Sequence, residues 1–163
     1  MWGRKDKNTY ITLGLNQPTT GTEQVAPATE TFPTLTANID EPVVAININR
    51  QYPRVKNTDD LLQATRSMWR LNRDRANRAH YAFAVYQGEI KEVYQVERWI
   101  PATKETRRYW REREKLQGDD FQETHDGRSE FIGKVAPETI RKKYVGKRMP
   151  VRHGQNPIRY FNC

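Results

Sequence analysis

The stretch YAFAVYQGEIKEVYQVERWIP, residues 81–101, decides the class of fold. Apolar residues run or alternate on either side of Gln87-Gly88, with β-branched and aromatic side chains dominating both arms, so the segment predicts strands over 80–86 and 89–98 joined by a tight turn. Working outward, PVVAININR (42–50) predicts a buried strand, because Val43, Ala45 and Ile46 to Ile48 form an apolar run closed by a polar Asn-Arg pair. Between these strands, Thr58 followed by Asp59 and Asp60 has the pattern of a helix start, and Leu61, Ala64, Thr65, Met68, Leu71 and Asn72 recur at helical spacing. One amphipathic helix is expected from about Asp59 to Ala79. Beyond the hairpin, residues 103–129 are densely charged and read as an insertion that opens with a solvated helix reaching Leu116. SEFIGKVA predicts a strand, PETIRKKYVGKRM a helix with Pro137 at its first position, and NPIRYFNC a final short strand. The expected order is β-α-β-β-insertion-β-α-β, an α+β fold.

The N-terminal region has another texture. Residues 11–40 hold eight Thr and three Pro, carry no Lys or Arg, and show no apolar period, so residues 1–40 read as a flexible tail too poor in apolar surface to offset chain entropy. Phe32, Leu35 and Ile39 leave open a docking contact with a surface groove, and the tail is where a protein partner is expected to attach. The domain is expected to span 41–163.

Charge narrows the partner. With 28 Lys and Arg against 20 acidic residues, the 163-residue chain carries a formal +8, its pI is near 9.7 and its mean hydropathy is -0.98. The tail is close to neutral, so the excess belongs to the domain, and a polyanion is the favoured partner. DNA or RNA heads that class. The lone Cys163 excludes an intrachain disulfide and a Cys-rich zinc site. No apolar run approaches bilayer-spanning length, and the N-terminus lacks the apolar stretch of a signal peptide; a cytoplasmic protein without membrane contact is expected.

The arginines of the expected helix stand out. Arg66, Arg70, Arg73, Arg75 and Arg78 face only Asp74, leaving few i,i+4 partners, so Arg66, Arg70 and Arg73 are read as phosphate contacts. A solvated helix face is the plainer account. Lys142, Lys143 and Lys147, with Arg141, Arg148, Arg152 and Arg159, form a second basic cluster. The aromatic residues would mostly fill a small β core; collectively, two or three of them, with Trp69 and Trp99 foremost and Phe131 beside them, suit the walls of a pocket for a base taken out of its stack.

Catalytic templates fit poorly. Glu89-Ile90-Lys91 has the E-x-K spacing that places a carboxylate and an amine on one strand face, as in some metal-dependent nucleases, but no upstream acidic partner is evident in the sequence. His80, His125 and His153 show no metal spacing, no nucleophile motif is present, and Gly88, Gly133, Gly146 and Gly154 are isolated turn glycines rather than a phosphate loop. No cofactor or metal is expected.

The stretches TRSMWRLNRDRANRAHYAFAVYQGEIKEVYQVERWIPA (65–102) and RSEFIGKVAPETIRKKYVGKRM (128–149) together resemble the PUA-like superfamily, with its EVE, ASCH and YTH branches. The shared features are a Trp in or after a helix, a hydrophobic strand, G-x-I at Gly88–Ile90 opening the next strand, which ends near Trp99, and F-x-G at Phe131–Gly133. The resemblance covers roughly 42–163 at superfamily level. It implies a small mixed β-barrel with two or three flanking helices, and a non-catalytic module that binds RNA or modified bases in an aromatic pocket. Two other functions stay open: a nuclease of a bacterial or phage defence system using Glu89 and Lys91, and a protein-interaction subunit.

Overall fold

Gln87 and Gly88 both take positive φ, 50° and 81°, the pair of left-handed conformations that a two-residue turn needs if its twist is to match that of the flanking strands. Gly88 adopts this at no steric cost; Gln87 is assisted by Asn49, whose Oδ1 accepts the Gln87 N–H at 2.8 Å. The hairpin read from the sequence is present. The structure is a computed structural model that describes residues 33–113, 127–152 and 154–163, and within them Thr34–Cys163 forms one compact unit. The expected tail before residue 33, Phe32 included, and the insertion over 114–126 lie outside the described residues.

Six strands, β1 (Val43–Asn47), β2 (Ser67–Arg70), β3 (Tyr81–Tyr86), β4 (Glu89–Pro101), β5 (Arg128–Val135) and β6 (Ile158–Phe161), form one sheet in the order β2-β5-β4-β3-β1-β6. β1 and β3 are parallel and the other neighbours antiparallel. The long β4 governs the shape. Its first half pairs with β3 and its second half with β5, and each ladder carries an irregularity, at Ala84/Val85 and at Val96/Arg98. Extra residues of this kind bend and twist a strand, and the sheet curls into a half-barrel. The fold is α+β and mixed, as expected, but among the described residues four α-helices rather than two or three accompany the strands: α1 (Thr58–Arg66), α2 (Arg73–Ala76), α3 (Lys104–Arg113) and α4 (Glu138–Tyr144).

Alternation along the strands gives the curl two apolar sides. Val44, Ile46, Ala82, Ala84, Tyr94, Trp99 and Phe131 gather on one side with Ala76 and Ala79. Val43, Ala45, Phe83, Val85 and Val93 gather on the other with Tyr144 of α4. Leu35 to Asp40 belong with the second side: Ala37 is buried, its N–H donates to the Arg148 carbonyl at 2.8 Å, and the Arg148 N–H donates to Leu35 O at 2.8 Å. The compact unit opens at Thr34.

The single helix expected from Asp59 to Ala79 is replaced by α1, β2 and α2. Asn57, not Thr58, is the N-cap, its Oδ1 accepting the Asp60 N–H at 2.8 Å. The helix stops at Arg66 because side chains take over its last carbonyls: Ser67 Oγ donates to Gln63 O at 2.9 Å and the Trp69 indole N–H to Thr65 O at 2.9 Å. These bonds satisfy groups that otherwise face water or a continuing turn. Met68 then enters the left-handed region at φ 73°, β2 pairs with β5, and Asn72 caps α2 by accepting the Arg75 N–H at 2.9 Å.

Candidate functional site

Among the described residues β2 and β6 are the two edges of the sheet, and the curl turns them toward one another. Beyond the end of β2, the Asn72 N–H donates to the Tyr160 hydroxyl of β6 at 2.9 Å, and the Arg75 guanidinium lies 4.3 Å from the centre of the Tyr160 ring. Alongside this bridge a cleft of about 850 Å³ opens, bounded by Asn47 at the end of β1 and Asn49–Gln51 after it, by Ser67–Arg70 of β2, by Trp110 of α3, by Arg128 at the start of β5, and by Gly154–Pro157 before β6. Its size is that of small-molecule and nucleotide sites, roughly 300–1,000 Å³. Among the described residues that line it, none is acidic.

The walls are held from behind. Trp110 donates its indole N–H to Ser67 Oγ at 2.7 Å and meets Tyr109 edge to face at 5.3 Å between ring centres, which fixes α3 against β2. Arg128 Nη1 donates to the Met68 carbonyl at 2.7 Å. α3 itself begins with Thr103 Oγ1 accepting the Thr106 N–H at 3.2 Å, a side-chain cap. The buried Glu130 carboxylate accepts the Thr103 N–H at 2.8 Å, the Thr106 hydroxyl at 3.1 Å and Arg66 Nη2 at 2.6 Å. An anion beside the first turn of a helix is well placed for its dipole.

The polar groups of the cleft are unevenly committed. Asn47 Oδ1 accepts the Asn49 N–H at 2.9 Å, Asn49 Oδ1 the Gln87 N–H, and Asn156 Oδ1 the Ile158 N–H at 2.9 Å. Arg50 and Arg70 form no ion pair among the described residues.

Of the residues singled out in the sequence, Arg70 and Trp69 border this cleft. Trp69 is nevertheless largely core, 8% exposed. Trp99 and Phe131 face each other in register on β4 and β5, ring centres 5.2 Å apart, inside the curl and away from the cleft. Arg66 is spent on Glu130 and on the Phe131 carbonyl, 3.2 Å from its Nε. Arg73 contacts Ser129 Oγ at 3.4 Å. The arginines of the expected helix thus diverge instead of sharing one face.

The second basic cluster belongs to α4 and the residues after it, on the opposite side of the sheet. Lys143 sits between Asp40 and Glu41 at 2.5 and 2.9 Å, a pairing led by the Asp40 hydrogen bond that raises its pKa and lowers that of Asp40. Arg141 grips Glu92 through two hydrogen bonds of 2.8 and 3.0 Å, which raise its pKa. Lys142 is exposed and Lys147 half-buried. Glu89 and Lys91 pair with each other at 2.8 Å, and this hydrogen bond raises the Lys91 pKa. Among the described residues no group of three His, Cys, Asp or Glu is placed to hold a metal ion.

Sequence reasoning missed Trp110, Arg50, Arg128 and the three asparagines. Trp110 sits in RRYWRERE, residues 107–114, where charge density suggested a solvated helix; a tryptophan amid charges is itself a sign of a buried or contacting face. No family model, no curated protein and no solved structure matches the chain.

Proposed function

We propose that this protein is a non-catalytic nucleic-acid reader of PUA-like architecture, and that the cleft between β2 and β6 receives one base while Arg50 and Arg70 contact phosphates. The observation that carries this reading is the composition of the cleft: three arginines and two tryptophans, with no carboxylate among the described lining residues, at the gap between the edges of a curled sheet. A guanidinium fork matches phosphate oxygens, and an indole face supports a base by stacking worth about 1–3 kcal/mol. The net positive charge of the domain steers a polyanion toward such a site. Trp110 takes the place that the sequence suggested for Trp99, because Trp99 is committed to the core.

Mechanistically, the function is equilibrium binding: phosphate contacts position the strand and the cleft selects the base. The test is fluorescence anisotropy with single-stranded DNA and RNA oligonucleotides over a salt series. Binding should weaken steeply with salt, and Arg50→Ala and Arg70→Ala should each reduce the slope of log K against log salt by roughly one unit. Slopes in both variants equal to that of the wild type, or no oligonucleotide binding at low salt, would refute the reading.

A further inference from the structure

Several acceptors of the cleft are engaged in hydrogen bonds within the protein. The Met68 carbonyl takes a hydrogen bond from Arg128. Ser67 Oγ accepts from the Trp110 indole and donates its own proton to Gln63 O. The side-chain oxygens of Asn47, Asn49 and Asn156 each accept a backbone N–H, which also settles the orientation of these amides, since only the oxygen end can take that proton. The side chains of the cleft also carry a set of uncommitted donors: the Nδ2 groups of the three asparagines, none with a protein partner among the described residues, and the guanidinium groups of Arg50 and Arg70. Gln51 and Gln155, whose side chains make no described hydrogen bond, can turn either end toward a ligand.

A donor-rich cleft leaves its donors unpaired if the ligand also presents donors, and each unpaired buried polar group costs affinity. Among the edges that bases display, guanine offers two adjacent acceptors, O6 and N7, whereas adenine pairs its N7 with an N6–H₂ donor and cytosine presents an N4–H₂ donor. We infer that the cleft selects guanine, read through O6 and N7 by the amide and guanidinium donors while its ring lies on Trp110. This rests on the reader function proposed above and specifies its base.

The experiment titrates the full chain with single-stranded oligonucleotides identical except for a central guanine, inosine, 7-deazaguanine, adenine, cytosine or uracil. Guanine and inosine, which share O6 and N7, should bind alike; 7-deazaguanine and adenine should bind about tenfold more weakly. Asn156→Asp, which keeps the oxygen that accepts the Ile158 N–H but replaces the Nδ2 donor by an acceptor, should erase the preference for guanine over adenine while leaving the thermal transition in place. Salt-dependent binding with adenine, cytosine or uracil equal to or above guanine, or 7-deazaguanine equal to guanine, overturns the inference and leaves the reader standing. Absence of binding to every oligonucleotide overturns both.

Discussion

Arg66 at the end of α1 and Glu130 on β5 form an ion pair of 2.6 Å in which the carboxylate side chain is 1% and the guanidinium side chain 23% exposed. The pair fastens three elements together, because the same carboxylate also receives the first hydrogen bonds of α3. Removing one member of such a pair strands the other. The general cost of breaking a buried pair is about 3–5 kcal/mol, and the partial exposure of Arg66 reduces it. Glu130→Ala should therefore lower the unfolding free energy in urea by about 2–4 kcal/mol, since it also leaves the Thr103 N–H unsatisfied. Arg66→Ala should act on stability more than on any salt dependence of binding; a stable Arg66→Ala protein with a flattened salt slope would return this arginine to the phosphate-contacting role read from the sequence.

The hairpin, β1, β5, α4 and β6 were legible because local pattern and tertiary fate agree in them. Val43–Asn47 is β-branched and buried, and Gln87-Gly88 is a turn by its own conformational preferences. The break after Arg66 was not legible, because residues 66–79 contain no Gly or Pro and favour a helix throughout. β2 exists through its pairing with β5, roughly sixty residues away, and through the bonds from Ser67 and Trp69 that close α1. Long-range pairing overrides propensity here. The same break separates the arginines: an intact helix aligns Arg66, Arg70 and Arg73, while the strand sends Arg66 to Glu130 and leaves Arg70 at the cleft.

Gly133 is required by the approach of β4. A Cβ built there lies 2.2 Å from the Gln95 carbonyl oxygen, a backbone atom that moves only if the strands separate. Gly133→Ala should destabilise the protein by about 2–3 kcal/mol. Gly146→Ala, where φ is +88° and no atom lies within 4 Å of the added carbon, should cost about 1–2 kcal/mol from backbone conformation alone. Equal midpoints for wild type and Gly133→Ala in denaturant titration would show that the strands yield freely at this position.

Tyr144 is buried under the outer side of the sheet; burial, and then its hydrogen bond to Glu41, push its pKa up to about 12. An unfolded tyrosine ionises near 10. With the folded value above the unfolded one, the native state holds the proton longer, so this contribution is complete below about pH 10 and is lost as pH rises toward the folded value. Tyr144→Phe, which cannot ionise, should flatten the fall in stability between about pH 10 and 12. Identical slopes for the two proteins over that window, followed by chemical denaturation, would mean that Tyr144 ionises as freely in the native state as in the unfolded chain.

The account turns on Trp110 as the surface that receives a base, and one titration addresses it most directly. A single-stranded guanine-containing oligonucleotide is bound to wild type, Trp110→Phe, Trp110→Ala, and a Lys142→Ala/Lys147→Ala variant on the opposite side of the sheet. Stacking on an aromatic face is worth about 1–3 kcal/mol. Trp110→Ala should thus weaken binding about tenfold or more, Trp110→Phe should retain much of the affinity, and the lysine variant should bind nearly as the wild type does. Trp110→Ala binding as tightly as wild type, with the loss appearing in the lysine variant instead, would contradict the account and move the interface to α4.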